Sequence, residues 1–314
     1  MNHSAMNDSA MNDGRTMTRC AHRLTDLDGL VLAEHDPHRA FYAASTIKLH
    51  VLLAALGWEA GAGRDSGTGW QEAGNGPTPV RPALDRAATV PATRTFSGAD
   101  GHRFTLHGDH LDPTHPADGT PITVGELLMR MIDRSSNEAT DTIITLLGSV
   151  QEKAKGPTHG DGGSGGDGDG SGASGAGLRT VGRVISALGL AGTRVERLIG
   201  DDVATGRGLT NETSAADLAT TMATIVRGDG LTGDAHALAL DALRSQRIPV
   251  ITSVLRPGVD HGSKSGEVDG IRHDVAFAGD RILAVLTSGY AEDEANAVIR
   301  DLARRLLPRD VVTD

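Results

Sequence analysis

Ser45 and Lys48 stand three residues apart at the head of an almost wholly apolar run that reaches Leu56. On a helix that spacing turns both side chains to one face, so a lysine amine can meet a serine hydroxyl. The hydroxyl attacks a carbonyl only once its proton is removed, and an amine removes it only where burial or a neighbouring cation has lowered its pKa. Val51, Leu52, Leu53 and Leu56 supply the burial, because a helix apolar on most faces belongs inside the molecule. Taken alone, the pair is equally satisfied by an N-cap serine and a snorkelling lysine. Two later patterns change the balance. Ser135-Ser136-Asn137 follows a helical segment at Val124 to Ile132, and Lys264-Ser265-Gly266 precedes an apolar run near the C-terminus.

The order S-x-x-K, S-x-N, K-S-G resembles the penicillin-recognising serine hydrolases, most closely the class A β-lactamases and their actinobacterial relatives. The likeness extends beyond the motifs. Ala43 to Leu49, Glu126 to Ile132 with Asn137 to Asp141, Gly208 to Leu218 and Arg272 to Ala276 are each similar to the family's segments around them. The resemblance implies an acyl-enzyme on Ser45 with Lys48 as its base. It implies that Ser135 relays a proton to the leaving nitrogen and that Lys264 holds positive potential over the site. Asn137 would then donate to the substrate's amide side chain, Ser265 would bond a substrate carboxylate with Arg272 as second partner, and the N–H groups of Ser45 and Glu267, the latter following Gly266, would form the oxyanion hole. No metal or cofactor is implied, and the substrate is a β-lactam or a similar cyclic amide, ester or peptide.

Departures from the class A pattern bear on turnover. Ser136 replaces an aspartate and Ser265 a threonine, while Glu267 sets a carboxylate beside the oxyanion position, where it would repel an anionic substrate if it points inward. The Glu-Pro-x-Leu-Asn segment of the family's Ω-loop, whose glutamate activates the deacylating water, is missing from Arg194 to Asp202. Glu196, Asp201 and Asp202 are the acids left to replace it, unless they are ordinary solvated loop residues or partners of Arg197. If none serves, the acyl-enzyme persists and the natural substrate of this esterase, amidase or peptidase lies elsewhere. A non-catalytic binding relative is disfavoured by the intact Ser45, Lys48, Ser135 and Lys264.

A rival site is conceivable where His102, His107, His110 and His115 interleave with Asp100, Asp109 and Asp112. The spacing matches no compact ligand pair on a helix, and a polar loop near the cleft mouth is the preferred reading.

Around these residues the punctuation predicts an α+β chain: an antiparallel sheet flanked by helices, with an all-helical lobe beside it, as the resemblance also implies. Leu24 to Glu34 reads as a hairpin, Ser45 to Trp58 as the nucleophile helix and Glu59 to Pro82 as a loop. Asn137 to Gly148, Thr180 to Leu188, Ser214 to Arg227 and Ala291 to Leu307 read as helices, and Val275 to Phe277 and Ile282 to Ser288 as strands. The expected organisation is a disordered polar tail over 1–17 and one catalytic domain over 18–314. Within it, 18–44 and about 229–314 form the α/β lobe and about 45–228 the helical lobe, interrupted by a flexible Gly-rich insertion at 156–177.

The chain of 314 residues carries a formal charge of −11, which argues against a nucleic-acid partner. Its single cysteine, Cys20, lies outside every motif and has no internal disulfide partner. Met1 to Met17 lacks the basic start and apolar core of a secretory signal, and no stretch is long enough to span a membrane, so a cytoplasmic monomer is expected.

Overall fold

The computed structural model describes residues 17–60, 83–154 and 171–313. β1 (Arg19–Asp26) and β2 (Val31–His35) form a hairpin, and β3 (Phe41–Tyr42) leads into a 3-10 turn, Ala44–Ile47, and α1 (Lys48–Ala55). The short strands β4 (Thr89–Pro91), β5 (Thr95–Ser97), β6 (Arg103–Thr105) and β7 (Pro121–Thr123) precede α2 (Val124–Asp133), α3 (Asn137–Ala154) and α4 (Ser171–Ala187). β8 (Arg194–Val195), α5 (Asp202–Gly206) and β9 (Asn211–Thr213) lead to α6 (Ala215–Arg227) and α7 (Gly233–Arg244). β10 (His261–Val268), β11 (Ile271–Ala278), β12 (Arg281–Ser288) and α8 (Glu292–Leu306) follow.

The main sheet has the order β10-β11-β12-β1-β2 and its pairs are antiparallel. Both faces of its central strands are covered, which is why β12 reads as a continuous apolar run rather than an alternating one. On one face α8 packs its Ile299 and Ala303 against Ala276, Leu283 and Val285. On the other, α6 brings Leu218, Met222 and Ile225 into a larger core shared with α1, α2, α3, α4 and α7. The mixed α+β architecture with an antiparallel sheet agrees with the sequence reading.

Several boundaries differ. Ser45 lies in the 3-10 turn rather than in the α-helix, which begins at Lys48 and ends before Gly57, at φ 72° and close against the Ala83 backbone. α7 has no counterpart in the sequence reading, because its alanines and leucines lack a strong apolar stripe beyond Ala235, Ala239, Ala242 and Leu243.

The tract expected as a flexible insertion at 156–177 is corrected at its C-terminal end: residues 171–177 begin α4, with Ala173 and Ala176 buried. Small residues serve there because α3 and α4 meet at backbone contact. A Cβ added to Gly177 would lie 1.8 Å from the Ile144 carbonyl oxygen, and one on Gly148 would lie 1.6 Å from that of Ala173. Residues 156–170 of that tract lie outside the described residues, as do 1–16 of the expected tail and 61–82 of the expected loop. Among the described residues no helix is long and apolar enough to cross a membrane.

Candidate active site

A cleft of about 860 Å³ opens where the edge strand β10 faces the head of α3 and the stretch between β8 and α5. Ser45, Ser135, Asn137, Ser265, Glu267 and Arg272 all line it. Lys48 and Lys264 stand just behind, each fully buried.

The Lys48 amine is the hub. Nζ lies 2.9 Å from Ser45 Oγ and 3.1 Å from Ser135 Oγ, and donates to the Ser135 carbonyl at 2.5 Å and to Asn137 Oδ1 at 2.7 Å. Lys264 Nζ reaches the same Ser135 hydroxyl at 3.0 Å and donates to the Ser265 carbonyl at 2.7 Å. The three motifs, distant in sequence, therefore converge on Ser135 Oγ. Burial, and next the Lys264 charge, push the Lys48 amine well below the usual lysine value, against the pull of Asp141, Glu138 and Asp112. Burial likewise brings Lys264 down to about 7, opposed by Asp274.

Local conformation explains how these atoms meet. Ser135 has φ 61° and Ala44 φ 46°, left-handed values that cost a non-glycine residue roughly 1 kcal/mol or more. At Ser135 this turn aims both the carbonyl and the hydroxyl at the lysines. Gly266 has little room for a side chain: a Cβ would lie 3.1 Å from both the Ala43 carbonyl oxygen and the Ser45 nitrogen, so β10 runs directly against the Ser45 backbone.

Alternation along β10 separates two sets of side chains. Lys264 and Gly266 face Ser135 and Ser45, whereas Ser265 and Glu267 share the other face with Asp274 and Arg272, their cross-strand partners. Glu267 points along the cleft wall and its carboxylate is bonded by Arg272 Nη1. Behind them Asp274 accepts the N–H groups of Val250 and Ile251 at 3.0 and 2.8 Å, and burial raises it to about 6.

Ser136 stands on the far side of the motif. Its hydroxyl donates to Glu138 at 3.0 Å and accepts the Ala139 N–H, capping α3. Glu138 in turn holds the Asp112 N–H at 3.0 Å. Asn137 has one Nδ2 hydrogen on the His110 carbonyl at 3.0 Å, leaving the other for the cleft.

The expected water-activating acids are placed unequally. Glu196 accepts the Thr210 N–H, and Asp201 caps α5 through the Ala204 N–H while bonding His102 at 2.8 Å. Asp202 lines the cleft. Ile199 lines the cleft as well, and its N–H donates to Asp141 Oδ1. Asp141, fully buried with Oδ2 unpartnered and raised well above the usual carboxylate range by burial, is a group the sequence reading missed. Its position one helical turn after Asn137 was the available signal.

The histidine-rich segment is a polar border: Asp109, His110 and Asp112 line the cleft, and among the described residues no group of three or more His, Cys, Asp or Glu side chains is placed to hold a metal ion.

Residues 173–309 match the beta-lactamase enzyme family. No curated protein matches the chain. Among solved structures, a β-lactamase from Sphaerobacter thermophilus DSM 20745 superposes with a TM-score of 0.63 at 20% identity, over 93% of each chain. A β-lactamase from Xanthomonas campestris pv. campestris str. ATCC 33913 gives 0.63 at 18% identity, over 92% of each. PBP-A, one variant of which was solved as an acyl-enzyme complex with penicillin G, gives 0.61 at 20%, over 91% of this chain and 88% of its own. The chain thus has the fold of these enzymes. The match to the beta-lactamase enzyme family over residues 173–309 agrees with that fold.

Proposed function

We propose that this chain is a metal-independent serine acyl hydrolase that forms an acyl-enzyme on Ser45 with a β-lactam or a related amide or ester. The observation that carries this reading is the 2.9 Å separation of Lys48 Nζ from Ser45 Oγ inside a site that disfavours a charged amine. Lys48 Nζ has four oxygen neighbours, of which the Ser135 carbonyl and Asn137 Oδ1 can only accept. A neutral amine gives its two N–H bonds to these and keeps a lone pair for the Ser45 hydroxyl.

In the proposed sequence Ser45 Oγ bonds the acyl carbon and its proton passes to Lys48 Nζ. The N–H groups of Ser45 and Glu267 hold the resulting oxyanion. Collapse breaks the C–N bond, the leaving nitrogen takes the Ser135 proton, and Ser135 recovers one from Lys48. Lys264 stabilises the Ser135 oxygen while it is short of a proton. Water then cleaves the ester and restores Ser45.

The engagement of the expected acids supports a slow second half. Glu196 is bonded to the Thr210 N–H and Asp201 to the Ala204 N–H, and Ile199 is an apolar residue of the cleft, which favours the reading of a penicillin-binding esterase, amidase or peptidase with a long-lived adduct over that of an efficient β-lactamase. Intact mass during incubation with penicillins and cephalosporins, with free drug followed in the same samples, tests both. A persistent one-to-one adduct absent from Ser45→Ala is expected; an adduct that survives in Ser45→Ala would overturn the assignment.

A further inference from the structure

Arg272 is the cation on the carboxylate side of the cleft, and it is already taken. Its side chain is only 6% exposed, and Nη1 bonds the Glu267 carboxylate, with a Glu292 oxygen 4.0 Å away. Strand register enforces the contact, since Glu267 and Arg272 are direct cross-strand partners on the face that also carries Ser265. The chain's own carboxylate therefore sits where an incoming one would bind. Glu292 thus adds a second carboxylate near the same guanidinium, and both it and Asp269 are among the residues that line the cleft.

We propose that Glu267 is a specificity-determining residue: as the internal counter-ion of Arg272, it makes the cleft favour acyl donors that are uncharged or cationic at the end where penicillins carry a carboxylate. An anionic donor must displace Glu267 from a guanidinium that is otherwise buried, or approach beside it and meet like-charge repulsion. An uncharged donor leaves the pair intact and still finds the Ser265 hydroxyl. The geometry requires nothing of the Glu267 main chain, so oxyanion donation and donor selection come from two parts of one residue.

The inference rests on acylation at Ser45, and its test separates the two. Second-order acylation rates are measured by intact mass with benzylpenicillin and with its methyl ester, which differ only in that carboxylate. In the unmodified chain the ester is expected to react faster. Glu267→Gln keeps the length of the side chain and removes its charge; the rate ratio is expected to move toward the free acid by on the order of tenfold. Adding Arg272→Ala to Glu267→Gln is expected to cancel that gain, because the freed cation is then gone. If neither donor acylates Ser45 in the unmodified chain, the underlying reading fails. If both acylate it and the ratio is unchanged in Glu267→Gln, the specificity assignment alone is overturned.

Discussion

The Ile199 N–H donates to Asp141 Oδ1 at 3.0 Å, tying the cleft wall between β8 and α5 to the helix that carries Asn137. One oxygen of this buried carboxyl is thereby used and the other has no partner. Burial raises the folded-state pKa above the usual 3.8. Between these values the unfolded chain has released the proton that the folded chain still holds, so stability is lost as pH rises out of the acid range.

Asp141→Asn keeps the acceptor for Ile199 and abolishes the titration. The variant is expected to have a higher Tm than the parent at pH 7 to 8, with the difference shrinking to nothing as pH falls to about 4. Thermal melts across that range check it. A variant uniformly less stable at every pH would mean that the carboxyl contributes as an ion.

Ile199→Glu places a carboxylate in the cleft at the residue whose N–H bonds Asp141. If water activation limits turnover, this variant shortens the lifetime of the acyl-enzyme by about 10²-fold or more, while acylation changes little. The new charge sits on the residue whose N–H bonds the buried Asp141, so a loss of roughly 1–3 kcal/mol in stability is expected with it. Adduct decay followed by mass after removal of free drug, together with a denaturant midpoint, reads both.

Gly266→Ala probes the approach of β10 to the nucleophile. The added methyl would stand 3.1 Å from the Ser45 nitrogen and the Ala43 carbonyl oxygen, so one of the two strands of chain must give way. Acylation is expected to fall about 10- to 100-fold, since small displacements of a nucleophile are costly, with little change in Tm. An unimpaired rate would show that the close contact has no part in setting Ser45.

Lys264 has an ordinary value of 10.5 that falls to about 7 in the fold. If its positive charge assists the Ser135 relay, acylation declines as pH rises through about 7, and Lys264→Arg moves that decline well into the alkaline range. For stability the sign is opposite. From about pH 7 to 10.5 the unfolded chain binds the proton that the folded chain has given up, so stability attributable to Lys264 rises over this interval. Rate and melting profiles on the same samples separate the two.

Much of this was legible in the sequence because motif order records which strands and helices must meet. Ser45, Lys48, Ser135, Asn137 and Lys264 were found from spacing and resemblance, and the structure brings them within hydrogen-bond reach of one another. Asp141 and Asp274 escaped because a carboxyl in a sequence reads as solvated; only the packed neighbours reveal that it is buried. The Glu267–Arg272 pair needed the register of β10 and β11, which no single-strand pattern fixes. The start of α4 was hidden by composition, since glycine and serine signal loops unless another backbone lies against them.

That backbone contact has a further consequence for how variation can enter this chain. Gly148 and Gly177 set the spacing of α3 and α4, and α3 begins at Asn137, a Lys48 partner. A side chain at either glycine is expected to drive a wedge between the helices, and the displacement to travel along α3 to the Asn137 end. Gly148 and Gly177 therefore act as machined tolerances, and a single added methyl at either is expected to silence a site it never touches.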